Sequence, residues 1–255
     1  MLYQTKNPHG GDIYEKPIRL DYSANTNPFG TPQGVLDAIQ NALPEIHHYP
    51  DPYCRRLVHA ISAFEHVPQE WILCGNGAAE LIYAYCEAVR PNTAVLLAPT
   101  FSEYANGLAR VGCTVQSYAL EQQKQFALDD AFLDYLTVQQ PEAAFLCNPN
   151  NPTGQAISQP LLERILQVCQ TKGIRLFLDE CFLDLAEYGA NAKPYLEQYS
   201  QVFLLKAFTK SYGMAGLRLG YGLSSDAALL EAMANAVQPW NVSLLAQAAG
   251  VAALQ

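Results

Sequence analysis

One short segment in the last quarter of the chain combines residue types that could do chemistry. The apolar run 202–205 predicts a buried strand, and it ends in a polar turn where Thr209 precedes Lys210. Arg218 follows eight residues after the lysine. A lysine that forms a Schiff base needs an amine that is partly unprotonated and lies beside an anion. A lysine in a tight turn, near hydroxyls and an arginine, suits that requirement. A solvated surface lysine is the alternative for this segment taken alone.

The turn that follows residues 71–74 could bind a phosphate. Gly75 and Gly77 match half of a dinucleotide-binding fingerprint, but the third glycine is absent, which disfavours NAD. The free N–H groups of Gly77, Ala78 and Ala79, at the start of a predicted helix, could instead hold one phosphate. A plain strand-to-helix turn explains the same residues without a ligand.

Three more side chains follow predicted strands and could hold a flat, charged ring. Asn151 could donate a hydrogen bond to a phenolate oxygen, and Phe101 could stack on the ring. Asp179 would be desolvated at its strand end unless it paired with a cation such as a protonated pyridine nitrogen, which makes the ring an electron sink. Turn formation, core packing and helix capping, respectively, are the alternatives for these residues.

The elements that must position these residues alternate between strand and helix along the chain. This alternation predicts an α/β fold, a three-layer α/β/α sandwich with a mainly parallel sheet. Ligands bind beyond the carboxyl ends of the strands in such sheets, which is where the candidate residues fall. The apolar runs interpreted as strands are 71–74, 94–98, 114–118, 143–147, 174–178, 202–205 and 219–223.

The composition excludes several classes of partner. The net charge of 15 − 24 = −9 argues against nucleic acid and anionic membranes, and no apolar run is long enough to span a bilayer. The seven cysteines show no CxxC spacing, and the five histidines show no metal-ligand spacing. We therefore expect reduced, packed cysteines, no metal site and a cytoplasmic location.

Taken in order, the candidate residues resemble the fold type I pyridoxal-phosphate enzymes of the class I and II aminotransferase superfamily. The resemblance begins at about residue 18, and its most specific motifs are 148–154 and 208–218. It implies pyridoxal 5′-phosphate as the cofactor, with Lys210 binding the aldehyde and later moving a proton. The other implied roles are Asp179 on the pyridine nitrogen, Asn151 on O3′, Phe101 on the ring face, and Thr209, Arg218 and the amides of Gly77, Ala78 and Ala79 on the phosphate.

The same resemblance extends to a partner subunit and to the substrate. Tyr49 matches a tyrosine that reaches the phosphate of the neighbouring subunit's cofactor, which implies a homodimer with shared active sites. Residues 9–11 and 21–28 are similar to an N-terminal arm that closes over the substrate, where His9 and Asn25 would face its phosphate or carboxylate.

Two branches of the family are closest, the threonine-phosphate decarboxylases and the histidinol-phosphate aminotransferases. Aminotransferases typically carry a tyrosine that donates to O3′ where this chain has Phe182, and 238–243 also resembles the decarboxylases. We therefore expect decarboxylation of L-threonine O-3-phosphate to (R)-1-aminopropan-2-yl phosphate, a step of cobalamin biosynthesis. A histidinol-phosphate or other class I/II aminotransferase is the alternative.

The resemblance also predicts how the chain divides into domains. Residues 1–30 are expected to form the N-terminal arm, and residues 31–255 a large cofactor-binding domain. The family continues into a C-terminal small domain that carries an arginine for the substrate carboxylate, and we expect this chain to lack it. A fragment of a longer protein, or a truncated pyridoxal-phosphate-binding protein without turnover, would both fit that expectation.

Overall fold

A computed structural model describes residues 9–14 and 17–255, and it contains a seven-stranded sheet with helices on both faces. The strand order is β1-β7-β6-β5-β4-β2-β3. The strands are β1 Ile72–Gly75, β2 Thr93–Ala98, β3 Thr114–Ala119, β4 Ala143–Cys147, β5 Arg175–Asp179, β6 Val202–Ala207 and β7 Gly220–Leu223. The helices are α1 Gln33–Ala42, α2 Arg55–Glu65, α3 Gly77–Val89, α4 Ser102–Arg110, α5 Ala131–Gln139, α6 Gln159–Lys172, α7 Phe208–Ser211, α8 Ala227–Ala236 and α9 Leu244–Ala253.

The centre of the sheet is parallel, as the alternation predicts. Strands β3, β2, β4, β5 and β6 pair in parallel, and β4 and β6 are buried along their whole length because helices cover both of their faces. β7 runs antiparallel to both β6 and β1. The link from β6 to β7 holds only the single turn α7 and a 3₁₀ turn, so no helix crosses the sheet between them.

Successive side chains of each strand point to opposite faces of the sheet, which gives the two faces different cores. Phe145, Phe177 and Phe203 stack across β4, β5 and β6 with ring centroids 4.9 and 5.4 Å apart, under α3, α4 and α8. Their chain neighbours belong to the leucine-rich core on the opposite face. Asp179 follows Phe177 by two residues, so its side chain emerges on the aromatic face of the sheet.

Two of the α-helices are not predicted by the sequence: α5, and the single turn α7, which the sequence analysis interprets as a polar turn. Helix α5 shows weak periodicity because apolar residues lie on several of its sides, so that Phe132 is buried while Val138 is 74% exposed. No helix within residues 9–14 and 17–255 is long and apolar enough to cross a membrane. The division into an arm over 1–30 and a large domain over 31–255 stays a prediction, of which residues 1–8, 15 and 16 lie outside the described part.

Candidate active site

A cavity opens where β4, β5 and β6 end, opposite the start of α3. Polar and aromatic side chains from separate parts of the chain meet there because the carboxyl ends of parallel strands share one edge of the sheet. Eight of the twelve residues given a site role from the sequence line it: Ala78, Ala79, Phe101, Asn151, Asp179, Thr209, Lys210 and Arg218.

One end of the cavity is built to hold an anion. Helix α3 begins at Gly77, whose φ of +79° is a left-handed conformation that favours glycine. A Cβ atom at Gly77 would lie 2.5 Å from Nη2 of Arg218, so the guanidinium packs directly against the first turn of the helix. The acid of that turn, Glu80, accepts hydrogen bonds from the Asn76 N–H and the Asn241 amide. A guanidinium beside the N–H groups of a helix start forms an anion site.

A buried carboxylate lies deep in the cavity. Asp179 is 6% exposed, and it accepts hydrogen bonds from the Tyr104 hydroxyl at 2.7 Å and from the Cys181 N–H at 2.9 Å. Burial raises the pKa of Asp179, while those two donors and the nearby Lys210 lower it. A cationic ring nitrogen placed against Asp179 would stabilise its ionised form.

The lysine of the motif lies in α7 with its amine directed at the same cavity. Burial lowers the pKa of Lys210, and the positive charge of Arg218 lowers it further, although Cys181 and Asp179 oppose the shift. The backbone carbonyl of Lys210 accepts a hydrogen bond from the Asn27 N–H at 2.9 Å, which fixes the turn. A lowered pKa leaves more neutral amine, the form that attacks an aldehyde.

The loop 148–154 is held rigidly beside the cavity. The side-chain amide of Asn148 donates a hydrogen bond to the Ala190 carbonyl and accepts one from the Ile157 N–H. The side-chain amide of Asn150 donates to the Pro99 carbonyl. This network positions Asn151, which lines the cavity. Asn148 and Asn150 are buried, and their side chains supply hydrogen-bond partners to backbone groups of neighbouring segments that lie outside the sheet.

Four sequence-predicted residues lie outside the cavity lining. Gly77 packs against Arg218, which does line the cavity. Asn25 lies in an adjoining depression that shares Asn151 and Phe182 with the cavity. The other two are His9, which contacts Glu103, and Tyr49, which is 78% exposed and stacks on Trp240 at 4.6 Å.

The sequence reading misses Tyr104, Cys147 and Cys181, which also line the cavity. Tyr104 has a signal that could have found it, because it follows Phe101 by three residues at the start of a helix and so can reach the same site. The two cysteines look like ordinary core residues in the sequence, and burial raises the pKa of both thiols.

These groups fit a phosphorylated pyridine aldehyde. The anion site matches a phosphate, Asp179 matches a protonated ring nitrogen, Phe101 offers an aromatic face, and Lys210 offers an amine with a lowered pKa. Within residues 9–14 and 17–255, no group of three or more His, Cys, Asp and Glu could hold a metal ion.

Known proteins resemble this chain along nearly all of its length. The chain is 38% identical to the threonine-phosphate decarboxylase of Salmonella typhimurium over 255 residues, 97% of this chain and 70% of that protein. It is 32% identical to a Bacillus subtilis subsp. natto histidinol-phosphate aminotransferase over 244 residues, 94% of this chain and 66% of that protein.

A solved structure shares the fold. The histidinol-phosphate aminotransferase from Clostridium acetobutylicum matches with a TM-score of 0.85 and 26% identity, covering 92% of this chain and 69% of that one. The chain thus spans about two thirds of the length of the curated relatives described above. The family described as aminotransferase class I and II matches residues 17–255. The chain therefore belongs to the class I and II aminotransferases, enzymes of lyase or transferase type that use pyridoxal 5′-phosphate.

Proposed function

We propose that this protein decarboxylates L-threonine O-3-phosphate to (R)-1-aminopropan-2-yl phosphate, an intermediate of cobalamin biosynthesis. The observation that carries the proposal is the 38% identity to a threonine-phosphate decarboxylase over 97% of the chain. We further propose a cytoplasmic homodimer whose active sites are shared. The exposed Tyr49 is then available to the cofactor phosphate of the neighbouring subunit.

In this proposal each of nine candidate residues has one task toward the cofactor. Lys210 would hold the aldehyde covalently, and Asp179 would keep the ring nitrogen protonated. Asn151 donates to O3′, and Phe101 stacks on the ring. The phosphate is held by Thr209, Arg218 and the amides of Gly77, Ala78 and Ala79.

When bound, pyridoxal phosphate accepts the electron pair that is released when a bond to the substrate Cα breaks. The protein would select the bond that breaks through the orientation in which its residues hold the substrate. For decarboxylation, the bond to the substrate carboxylate would have to be the one aligned for cleavage, and His9 and Asn25 are proposed to orient the substrate in this way. After CO2 leaves, a proton must be delivered to Cα, and in this proposal the Lys210 amine would deliver it.

Phe182 favours decarboxylation over transamination. It lines the cavity, and its ring lies 5.3 Å from the Lys210 amine, so the position is apolar and cannot donate to O3′. An aminotransferase is the second candidate because relatives at 32% identity carry that activity in their names. The two candidates differ in whether CO2 or glutamate appears.

The test offers two substrates to the cofactor-loaded protein. Threonine phosphate should release CO2, whereas histidinol phosphate with 2-oxoglutarate should give no glutamate. Glutamate formation would replace the decarboxylase by an aminotransferase. A cofactor absorbance that stays unchanged with every amino acid offered would instead indicate a binding protein without turnover.

A separate experiment tests the covalent site. Borohydride reduction followed by peptide mass spectrometry should place the cofactor on Lys210. Lys206 provides an internal control, because its amine is buried in ion pairs with Glu65 and Asp184, each at 3.2 Å. A label on Lys206, or none on either lysine, would contradict the assignment.

A further inference from the structure

The N-terminal arm reaches the rim of the cofactor cavity through one histidine. Nε2 of His9 lies 2.8 Å from Oε1 of Glu103, in the first turn of α4. The imidazole centroid is 5.7 Å from the ring centroid of Phe101, which lines the cavity. The arm therefore places a polar ring beside the aromatic side chain that we assign to the cofactor.

Glu103 is itself fixed in place. Its carboxylate accepts hydrogen bonds from the Tyr83 hydroxyl and, at 2.7 Å, from the Asn106 amide, and its side chain is only 13% exposed. Burial raises the pKa of Glu103, but the bonds from Tyr83, Asn106 and His9 outweigh burial and hold the pKa below its usual value. An ionised carboxylate with several donors is a rigid anchor, because moving it would break bonds that are expensive to lose.

The segment that carries His9 is shaped to keep this contact. A Cβ at Gly10 would come 1.9 Å from the carbonyl oxygen of Ser23, so the close approach of the two backbones requires glycine there. The next N–H, from Gly11, donates to the Ser23 hydroxyl at 2.8 Å, and that hydroxyl bonds Asp21. The arm thus delivers His9 to Glu103 from a turn with its own internal hydrogen bonds.

We infer that Glu103 is a positioning residue for substrate binding, which holds His9 at the mouth of the cavity so that the imidazole meets the phosphate of the substrate. The identity of that ligand rests on the proposed function. Glu103 touches neither cofactor nor substrate in this scheme. It acts by ordering the arm before the substrate binds. The entropy cost of ordering the arm then does not reduce the free energy of substrate binding.

This role makes a kinetic prediction that a purely structural role does not. Glu103→Gln and His9→Ala should each raise KM for threonine phosphate about tenfold, the size of a lost charge-assisted hydrogen bond, with kcat nearly unchanged. The double variant should be no worse than His9→Ala alone, because Glu103 acts only through His9.

Two further variants separate positioning from packing. Tyr83→Phe removes the hydrogen bond to Oε2 of Glu103, but the Asn106 amide still holds Oε1, the oxygen that faces His9, so this variant should change KM far less than Glu103→Gln. Glu121→Gln is the matched control, since Glu121 pairs with Lys124 away from the arm. If Glu103→Gln still raises KM in the His9→Ala background, or if Tyr83→Phe reproduces its effect, the inference is overturned.

A readout without substrate keeps this inference distinct from the proposed function. Hydrogen–deuterium exchange of residues 9–14 in the cofactor-loaded protein should accelerate in Glu103→Gln and stay unchanged in Glu121→Gln. Unchanged exchange in Glu103→Gln overturns the inference whatever the substrate is. Accelerated exchange in a protein that does not release CO2 from threonine phosphate would sustain the positioning role and sink the decarboxylase.

Discussion

Replacing Tyr104 with phenylalanine tests whether the buried carboxylate of the site depends on its tyrosine. The hydroxyl donates to Asp179 at 2.7 Å, and both side chains are buried. The variant keeps the ring that packs against Phe101 and Phe145 and removes only the donor. It leaves one oxygen of the buried carboxylate without that hydrogen bond.

The magnitude follows from the chemistry of the bond. A hydrogen bond to a charged group contributes about 1.5–3 kcal/mol, so at pH values where Asp179 is ionised Tyr104→Phe should lower the unfolding free energy of the cofactor-free protein by about that amount. For a chain of this size the melting temperature would fall by roughly 2–4 °C per kcal/mol.

The loss should depend on pH in a defined direction. The pKa of Asp179 is raised in the folded protein, so between its unfolded and folded values the folded state binds more protons and stability falls as pH rises. Losing the hydroxyl donor raises that pKa further, since the donor favours the ionised form. The defect should therefore be largest at pH values above the folded pKa of Asp179, and it should shrink as the pH falls and the carboxyl becomes neutral.

The matched control is Tyr85→Phe. Tyr85 belongs to the same aromatic core and is fully buried, but its hydroxyl has no hydrogen-bond partner among the described residues. Removing that hydroxyl should leave stability unchanged or raise it, because an unsatisfied polar group is costly to bury. Urea unfolding followed by circular dichroism, in mildly alkaline and mildly acidic buffer, measures both variants. Equal losses in the two variants, or a Tyr104→Phe loss that grows on acidification, would refute the reasoning.

Three further predictions concern the anion site and the amine. Gly77→Ala should weaken pyridoxal-phosphate binding at least tenfold because its Cβ displaces Arg218. Gly112→Ala is the control, since Gly112 has a similar φ of +74° and open space around it, and it should lower stability only by the backbone strain of about 1 kcal/mol. Equal cofactor affinities in the two variants would contradict this prediction. Arg218→Gln should raise the pKa of Lys210 and so slow imine formation near neutral pH. The rate is followed by absorbance with pyridoxal, which lacks the phosphate and so leaves only the effect on the amine. An unchanged rate would show that Arg218 acts on the phosphate alone. Asp179→Asn should lower cofactor affinity and shift the absorbance of the bound cofactor, while Asp130→Asn, in an exposed pair with Arg164, should change neither.

Family membership could be predicted from the sequence because its chemistry is concentrated in short segments. The motif around Lys210 and the loop 148–154 keep their meaning without any three-dimensional information, since each follows a strand whose apolar run is plain. Parallel strands then carry such segments to one edge of the sheet. The cofactor, the fold class and the family were all predictable in this way, and the family comparison confirms them. The individual roles of the site residues stay predictions.

The tertiary structure decided what depends on approach between distant segments. The contact of Arg218 with Gly77 requires β7 to return antiparallel beside β1, and no local pattern marks that return. The bond from Tyr104 to Asp179 joins residues 75 positions apart. The sequence by itself determined which chemical groups are present, and which strand or helix each group follows, because strand and helix periodicity are local properties. Only the fold decided which groups touch, how deeply each is buried and hence how each pKa shifts, because burial and long-range contacts arise from packing.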